Sequence, residues 1–448
     1  MNMWWEKKGH LEVRENKLFI GGADAGALAD KYGTPLYVTN EERVRENYRA
    51  VKDAYSEHYG NLGIHYAMKA NSSLAVLKII LSEGGGLDVT SGGDIYVALK
   101  AGFAPEKLIL TINTKSREEL KTAIEKGIAI CLDAESEVKQ VNEVARSIGT
   151  KARVCFRINL DVDAHTHSHL SVGKAESKFG IPYARVVDAY KLALAAEYVE
   201  PIGMHTHIGS QIRETEPFAE AVRKYMEKVA EVVKLGVRFE FLDLGGGIGI
   251  PHEASDRVLT PKEVADVQMP VVKEYLKKLG ISPQIKIEPG RQIVGDASVL
   301  LTRVQTIKQG EFRRFVCVDA GFNTLARPML YEAYHEAVVA GNVAPRAPVL
   351  VDIAGNICES GDILGKERKL EAKEGDVVAF LCAGAYGMVM SSEYNSHPLS
   401  AEVLVRNGEV FLTRERGTYE DLLRRQKVPA HLNEANNTAR NGKIRGII

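Results

Sequence analysis

The 448-residue sequence has few cysteines, almost no net charge and no long apolar run, and each of these absences excludes a class of protein. Its five cysteines are odd in number and irregularly spaced, which argues against a disulfide framework and fits a reducing compartment. The 58 basic and 59 acidic residues nearly cancel, so no overall field favours nucleic acid or a membrane surface. No apolar run is long enough to span a membrane, and the first residues lack the apolar core of a signal peptide. We therefore expect a cytoplasmic protein that acts on a small molecule.

Short β-rich apolar runs alternate with stretches of helical periodicity along the first two thirds of the chain. The predicted strands are 63–69, 86–91, 107–112, 128–133, 151–159, 201–208, 239–244 and 284–288. Eight such strands alternating with helices are typical of a TIM barrel, although a doubly wound open sheet has the same local pattern. Polar motifs follow the ends of several strands, where barrel enzymes carry their chemistry. We therefore predict an α/β fold with a (β/α)8 barrel over residues 41–293.

After about residue 294 the predicted strands follow one another without regular helices between them. They are 299–308, 313–319, 349–353, 377–382, 401–406 and 410–413, and two more strands lie near the start, at 11–13 and 18–20. The dipeptide Asn407-Gly408 is a strong signal for a two-residue hairpin. We expect residues 1–40 and 294–448 to form a second, all-β domain, a Greek-key-like sandwich or barrel.

Lys69 is the most informative single residue, because it follows the apolar strand residues 63–68 and precedes a small polar turn. A lysine at a strand end is more often an ordinary surface residue. A functional role is favoured because three further motifs follow other strands. These motifs are His205–Ser210, Gly245–Gly247 and Glu288–Arg291.

Together these motifs supply what pyridoxal phosphate requires from a protein. This cofactor needs a lysine for its aldehyde, a partner for its ring nitrogen, a stacking surface and an anion site for its phosphate. Lys69 supplies the amine, and the Glu288 carboxylate favours a protonated ring nitrogen, which strengthens the ring as an electron sink. His207 is the stacking candidate, with Ser210 placed toward the phosphate. His205 either points into the same pocket or is packed or solvated.

The three glycines Gly245, Gly246 and Gly247 allow backbone N–H groups to approach an anion without interference from a Cβ atom. The segment is not a dinucleotide-binding fingerprint, because Ile250 stands at the third required glycine. A glycine cluster alone is more often a turn than a phosphate site. In combination with Ser210 and Arg291, this cluster favours a phosphate site.

Metal-dependent chemistry is the main alternative from another class. The alternating histidines His165, His167 and His169 lie in a polar loop, where such residues are more often solvated than bound to a metal, so we expect no metal. A metal-dependent barrel hydrolase would use His205 and His207, but that pair usually lies on the first strand and here follows the sixth. A non-catalytic binding protein with the same fold is a third possibility.

Nine motifs, in the same order along the chain, resemble the diaminopimelate decarboxylases, which are barrel-type pyridoxal phosphate enzymes like ornithine decarboxylase. The motifs are Tyr66–Asn71, Asp88–Gly93, Lys178–Ile181, His205–Gln211, Leu244–Gly247, Glu288–Arg291, Arg327–Tyr331, Cys358–Asp362 and Gly384–Gly387. The resemblance implies decarboxylation of meso-2,6-diaminopimelate to L-lysine and carbon dioxide, the last step of lysine biosynthesis. A related decarboxylase of ornithine, D-lysine or carrier-linked glutamate is the alternative, and the retained pairs Arg327–Tyr331 and Glu359–Ser360 argue against it.

The resemblance also implies roles for individual residues. Lys69, His207 and Cys358 would be catalytic, with Cys358 as the proton donor. The cofactor would contact Lys69, Asp88, His207, Ser210, Gly245, Gly246, Gly247, Glu288, Gly290, Arg291 and Tyr386, and the substrate would contact Arg291, Arg327, Tyr331, Glu359 and Tyr386. The active sites would form at the interface of a homodimer, where the β-domain carries Cys358 and Glu359 into the partner's barrel.

Three segments depart from the family pattern. Asp94 stands where glutamate is common, Asn356 lies where Gly-Pro usually precedes the cysteine motif, and the segment 395–400 lacks two arginines found in relatives. The last difference bears on substrate preference and on the interface rather than on the cofactor chemistry.

Overall fold

The structure, a computed structural model, describes residues 3–164 and 176–432. The histidine run at 165–169 therefore lies outside the described residues. The helices are α1 Ala25–Tyr32, α2 Glu41–Ser56, α3 Leu74–Ser82, α4 Gly92–Ala101, α5 Arg117–Lys126, α6 Glu137–Ile148, α7 Val186–Ala195, α8 Glu216–Val233, α9 Pro261–Leu279, α10 Arg291–Val294 and α11 Arg327–Tyr331. Within the described residues, none of these helices combines the length and the apolar character needed to cross a membrane.

The strands belong to a parallel barrel, a nine-stranded mixed sheet and a small antiparallel sheet near the start of the chain. They are β1 Leu11–Arg14, β2 Lys17–Ile20, β3 Ala23–Asp24, β4 Leu36–Asn40, β5 Leu62–Ala67, β6 Gly86–Val89, β7 Leu108–Leu110, β8 Ala129–Leu132, β9 Ala152–Asn159, β10 Ile181–Pro182, β11 Val199–Thr206, β12 Phe241–Asp243, β13 Gln284–Ile287, β14 Ser298–Gln309, β15 Arg314–Val318, β16 Ala337–Val339, β17 Val349–Ala354, β18 Ile363–Leu370, β19 Val377–Phe380, β20 Ala401–Arg406 and β21 Glu409–Arg414.

Eight parallel strands close into a barrel in the order β5-β6-β7-β8-β9-β11-β12-β13, and β13 pairs with β5 to complete the ring. The predicted TIM-like barrel is thus confirmed, and the open-sheet alternative is wrong. Capping residues in the sequence determine where the helices of the outer layer begin and end. In α9, Thr260 and Glu263 form a reciprocal capping box and Gly280 ends the helix in the left-handed conformation.

The second β-structure contains strands from both ends of the chain. Strand β4 precedes the barrel in sequence but pairs antiparallel with β14 and parallel with β20. The hairpin between β20 and β21 turns at Asn407 and Gly408, whose φ angles of +50° and +83° match the expected turn. The limits of the two units at residues 41 and 293 stay a prediction.

Several elements differ from the sequence-based expectation. Strands β3, β4, β10, β16 and β18 were not predicted, because their residues carry no clean alternation that separates a strand from a loop. The first barrel strand was predicted to reach Lys69 but ends at Ala67, and Lys69 lies in the 3-10 turn Met68–Ala70. This turn carries the lysine across the mouth of the barrel rather than along its wall.

Candidate active site

One pocket at the carboxyl ends of the barrel strands collects most of the residues that the sequence singled out. Ten of them line it together, namely Lys69, His207, Ser210, Gly245, Gly246, Gly247, Glu288, Gly290, Arg291 and Tyr386. They come from loops that follow different strands and from the β-domain, which supplies Tyr386. The convergence follows from the parallel barrel, in which all strand ends of one kind meet on one face.

Lys69 donates a hydrogen bond from Nζ to Oδ2 of Asp88 on β6. Asp88 is fully buried, and its second oxygen accepts a hydrogen bond from the Thr111 hydroxyl at the end of β7. The surrounding protein desolvates the lysine amine, which lowers its pKa, but the Asp88 charge outweighs this effect, so the pKa of Lys69 is raised. The amine is therefore held as an ammonium that points into the pocket.

Glu288 follows β13 and forms a buried ion pair with His205 of β11. His205 Nε2 lies 2.9 Å from Glu288 Oε2, and both side chains are almost fully buried. Burial raises the pKa of Glu288, but the charge and hydrogen bond of His205 outweigh this effect and bring the pKa down to about 2. Burial lowers the pKa of His205, and the Glu288 charge raises it well above its ordinary value. The pair is thus an imidazolium and a carboxylate.

His207, two residues further on, has the opposite electrostatic environment. Its Nδ1 accepts a hydrogen bond of 3.2 Å from the backbone N–H of Gly246, which leaves the ring proton on Nε2. Burial and the nearby charges of Arg157 and Lys69 hold the pKa of His207 well below its ordinary value. A neutral ring at the wall of the pocket is suited to stacking.

Arg291 and Ser210 form the cationic side of the pocket. The Ser210 hydroxyl accepts hydrogen bonds from Nε and Nη2 of Arg291 at 3.4 and 3.3 Å. The guanidinium carbon lies 5.0 Å from the ring centre of Tyr386. The backbone N–H of Tyr386 donates to the carbonyl of Ala70 at 2.8 Å, which fixes the β-domain residue beside the lysine turn.

The glycine loop after β12 is packed so closely that no side chain fits. A Cβ atom on Gly245 would lie 2.3 Å from the Thr206 carbonyl oxygen, and one on Gly246 would lie 2.1 Å from that of Glu288. The N–H groups of Gly245 and Gly246 donate to Asp243 and His207 respectively. Two of the three N–H groups expected to face an anion therefore already bind protein acceptors, and these two glycines act mainly by permitting close packing.

Arg327 lies at the start of α11, where it is buried near Arg291 but is not among the residues that line the pocket. Its Nη1 lies 2.9 Å from Nε2 of His335, whose Nδ1 lies 2.8 Å from the Leu381 carbonyl oxygen. Burial and the nearby charge of Arg291 lower the pKa of Arg327 to about 9. Two guanidinium groups at one site form a strong receptor for carboxylates.

Cys358 and Glu359 are exposed on the β-domain and are not among the residues that line the pocket. The backbone N–H of Cys358 donates to Asn395 Oδ1 at 2.9 Å, and Tyr394 donates from its hydroxyl to Glu359 at 2.7 Å. Within one chain these two residues therefore do not join Lys69.

The metal-hydrolase alternative does not fit the positions of its two histidines. His205 belongs to a group with Asp243 and Glu288 whose potential ligand atoms lie within 4.8 Å of one another, but His207 is not part of that group. Nε2 of His205 is hydrogen-bonded to Glu288.

Comparison with known proteins decides the family. Residues 41–295 match the pyridoxal binding domain of the pyridoxal-dependent decarboxylases. The diaminopimelate decarboxylase of Methanothermobacter thermautotrophicus is 46% identical to this chain over 95% of it and 97% of the relative. The chain belongs to the diaminopimelate decarboxylase family. The crystal structure of the M. jannaschii diaminopimelate decarboxylase in co-complex with L-lysine matches with a TM-score of 0.89 at 38% identity, covering 94% of this chain and 99% of that one.

The pocket fits the cofactor that the decarboxylase family uses. Glu288 Oε1 and Arg291 Nη1 are buried and have no hydrogen-bond partner within the described residues. One is an acceptor and the other a donor, as a protonated ring nitrogen and a phosphate require. The Lys69 amine faces the same space.

Three contributors were missed in the sequence. Thr111 supports Asp88 from the end of the next strand, and the rule that barrel chemistry follows strand ends could have found it. Asn395 positions Cys358 from within a segment that we noted only as a departure from the family. His335 pairs with Arg327 and carried no sequence signal.

Proposed function

We propose that this protein catalyses the decarboxylation of meso-2,6-diaminopimelate to L-lysine and carbon dioxide, with pyridoxal phosphate as its cofactor. The observation that carries the proposal is one pocket that combines the Lys69 amine, the ionised Glu288 and the Arg291 guanidinium in a member of this family. The co-complex of a relative with L-lysine, the product of this reaction, supports the choice of substrate.

Different residues of the pocket would bind different parts of the cofactor. When bound, pyridoxal phosphate supplies an electron sink for the bond between the α-carbon and its carboxylate. Lys69 would hold the aldehyde of the cofactor through its amine. Asp88 orients that amine and would accept the proton that the amine must lose to act as a nucleophile. Glu288 would hold a proton on the ring nitrogen, His207 would cover one ring face, and Ser210 with Arg291, beside Gly247, would bind the phosphate.

Substrate recognition would come from the charged groups at the outer end of the pocket. Arg291 and Arg327 suit carboxylates, and Tyr331 and Tyr386 lie near these two guanidinium groups. Glu359 suits the distal ammonium group. A substrate that lacks the distal carboxylate would leave a buried guanidinium unpaired, which costs affinity.

The remaining residues indicate a homodimer with shared sites. Cys358, our candidate proton donor for the α-carbon, is exposed and lies apart from the pocket of its own chain. A second copy that presents its Cys358 and Glu359 to this pocket would complete the set of residues. We also propose the division into a barrel at 41–293 and a β-unit at 1–40 and 294–448, and a location in the cytoplasm.

The substrate is tested by measuring carbon dioxide release from the purified holoenzyme. Meso-diaminopimelate, ornithine, D-lysine, L-lysine, arginine and carrier-linked glutamate are supplied separately. Release from meso-diaminopimelate alone is expected. Comparable release from ornithine would contradict the proposed substrate but not the proposed reaction type. If none of these compounds releases carbon dioxide, the proposal is wrong.

A further inference from the structure

The interior of the barrel below the pocket contains a cluster of three buried titratable side chains. His205 of β11, Asp243 of β12 and Glu288 after β13 are neighbours on adjacent strands, and all three are buried. The pair between His205 and Glu288 engages only Oε2 of the glutamate at 2.9 Å. Its other oxygen, Oε1, has no partner within the described residues and belongs to a side chain that lines the pocket.

We propose that His205 is a positioning residue, whose imidazolium keeps Glu288 as a carboxylate and aims its free oxygen at the cofactor ring nitrogen. The proposal deepens the proposed function and rests on it. His205 itself does not line the pocket, so it acts through Glu288.

The need for this cation follows from the other charges around Glu288. Asp88 and Asp243 are two further buried acids, and a negative charge on either of them disfavours a negative charge on Glu288. The titratable and charged groups that face the pair are His65, Lys69, Asp88, Cys131, His207, Asp243 and Lys286. Without His205, the buried Glu288 beside two acids would take up a proton itself, and it could then no longer hold a proton on the ring nitrogen of the cofactor.

The neighbouring acid shows that the effect is selective. Burial and the Glu288 charge raise the pKa of Asp243 to about 8, although it lies beside the same imidazolium. Within the described residues, Asp243 accepts a hydrogen bond from the backbone N–H of Gly245 and none from a charged side chain. The direct hydrogen bond from His205 thus decides which of the two acids is ionised.

His205→Gln separates charge from shape, because glutamine can still donate a hydrogen bond but carries no charge. In the holoenzyme we expect kcat to fall about 10- to 100-fold with KM within about threefold, since cofactor electronics and not substrate contacts change. We also expect the loss to deepen as the pH falls, because the glutamate then titrates, and to be partly restored at high pH. The bound-cofactor absorbance should show the same titration.

His65→Gln is the matched control, since His65 is another buried barrel histidine whose ring nitrogens have no partner among the described residues. Burial and Lys286 hold its pKa well below the ordinary value, so this variant removes no charge. We expect its kcat, pH profile and cofactor absorbance to match those of the wild type. A similar loss in both variants would mean that the His205 effect is one of packing and would overturn the proposal.

Two further measurements do not depend on turnover. Nitrogen-15 histidine spectra of the holoenzyme should show one imidazolium that persists above pH 8 and disappears in both His205→Gln and Glu288→Gln. The double variant should resemble Glu288→Gln alone. Additive losses, or a neutral His205 at pH 7, would overturn the proposal. Because these spectra and the cofactor absorbance are independent of the amino acid decarboxylated, a wrong substrate would leave this test readable.

Discussion

At the scale of single residues, the site depends on pairs whose charges are set by burial and by one close partner. His205 and His207 stand two residues apart in one motif, yet the pKa of the first is raised and that of the second is lowered. The difference arises because Glu288 contacts His205, whereas Arg157 and Lys69 surround His207. In the same way, the charge of its close partner Asp88 keeps Lys69 as an ammonium.

Lys69→Ala should abolish attachment of the cofactor. Borohydride treatment of the wild-type holoenzyme should fix the cofactor on Lys69, which peptide mass spectrometry detects, and the variant should carry no such adduct and lose at least about 100-fold in kcat. Lys107→Ala is the control, since Lys107 is exposed before β7 at the other end of the barrel. An adduct on any other lysine of the wild type would contradict the assignment.

At the scale of elements, the loop after β12 shows how backbone packing shapes the site. Its glycines touch the backbones that carry Thr206 and Glu288, so the loop closes the floor of the pocket between β11 and β13. The same contacts hold His207 and Glu288 at their places. A local change here should therefore act on cofactor binding.

Gly246→Ala is expected to destabilise the protein by about 1–3 kcal/mol, because its methyl group would meet a backbone oxygen that cannot move away. Cofactor affinity should fall as well. Thermal unfolding and cofactor titration measure both effects. Gly60→Ala, where nothing lies within 4 Å of the new methyl group, should be near neutral. Equal behaviour of the two variants would show that the close packing is not required.

At the scale of the whole molecule, the barrel and the β-sheet domain are joined by a buried polar cluster. Asp296 accepts hydrogen bonds from Arg43 and Asn47 of α2, and His10 contacts both its backbone oxygen and Asn40. The carbonyl of Asp296 accepts the Nε2 proton of His10, and Nδ1 accepts from Asn40, so both ring nitrogens are satisfied only in the neutral form. Burial lowers the pKa of His10 to about 4.

This junction predicts a loss of stability on mild acidification. Between pH 6.5 and about 4 the unfolded chain protonates His10 and the folded chain does not, so stability falls as the pH is lowered, by about 3 kcal/mol in total. Denaturant unfolding across this pH range measures the slope. The His10→Gln variant has no titratable side chain at this position, so this part of the change in stability with pH should disappear. An unchanged slope of stability against pH would contradict the assignment to His10.

The proposed dimer predicts recovery of activity from two inactive variants. Lys69→Ala and Cys358→Ala should each be nearly inactive, whereas an equal mixture after subunit exchange should regain about a quarter of wild-type activity, since half of the dimers then contain one intact site. Cys317→Ala, another cysteine of the β-domain, is the control and should stay active. Native mass spectrometry shows whether the subunits have exchanged. If they have exchanged and activity does not recover, the proposal of shared sites is contradicted.

Much of the architecture could be predicted because it rests on local patterns. All eight barrel strands were found from short apolar runs, and the hairpin at residues 407–408 from its dipeptide. Strand β4 was missed because it lies between β14 and β20 with all of its residues buried, so its sequence shows no alternation of apolar and polar residues. The ends of β5 were misplaced because the turn at Lys69 is fixed by the barrel mouth rather than by propensity.

The sequence by itself determined the barrel and the residues at its mouth, because the alternation of strand and helix brings all strand ends of one kind to one face. Only the tertiary structure decided that Lys69 pairs with Asp88, that Glu288 pairs with His205, and that Cys358 lies apart from both. These facts depend on which side chains of separate strands come within hydrogen-bond distance in a buried space. There a single close partner outweighs desolvation and sets the charge.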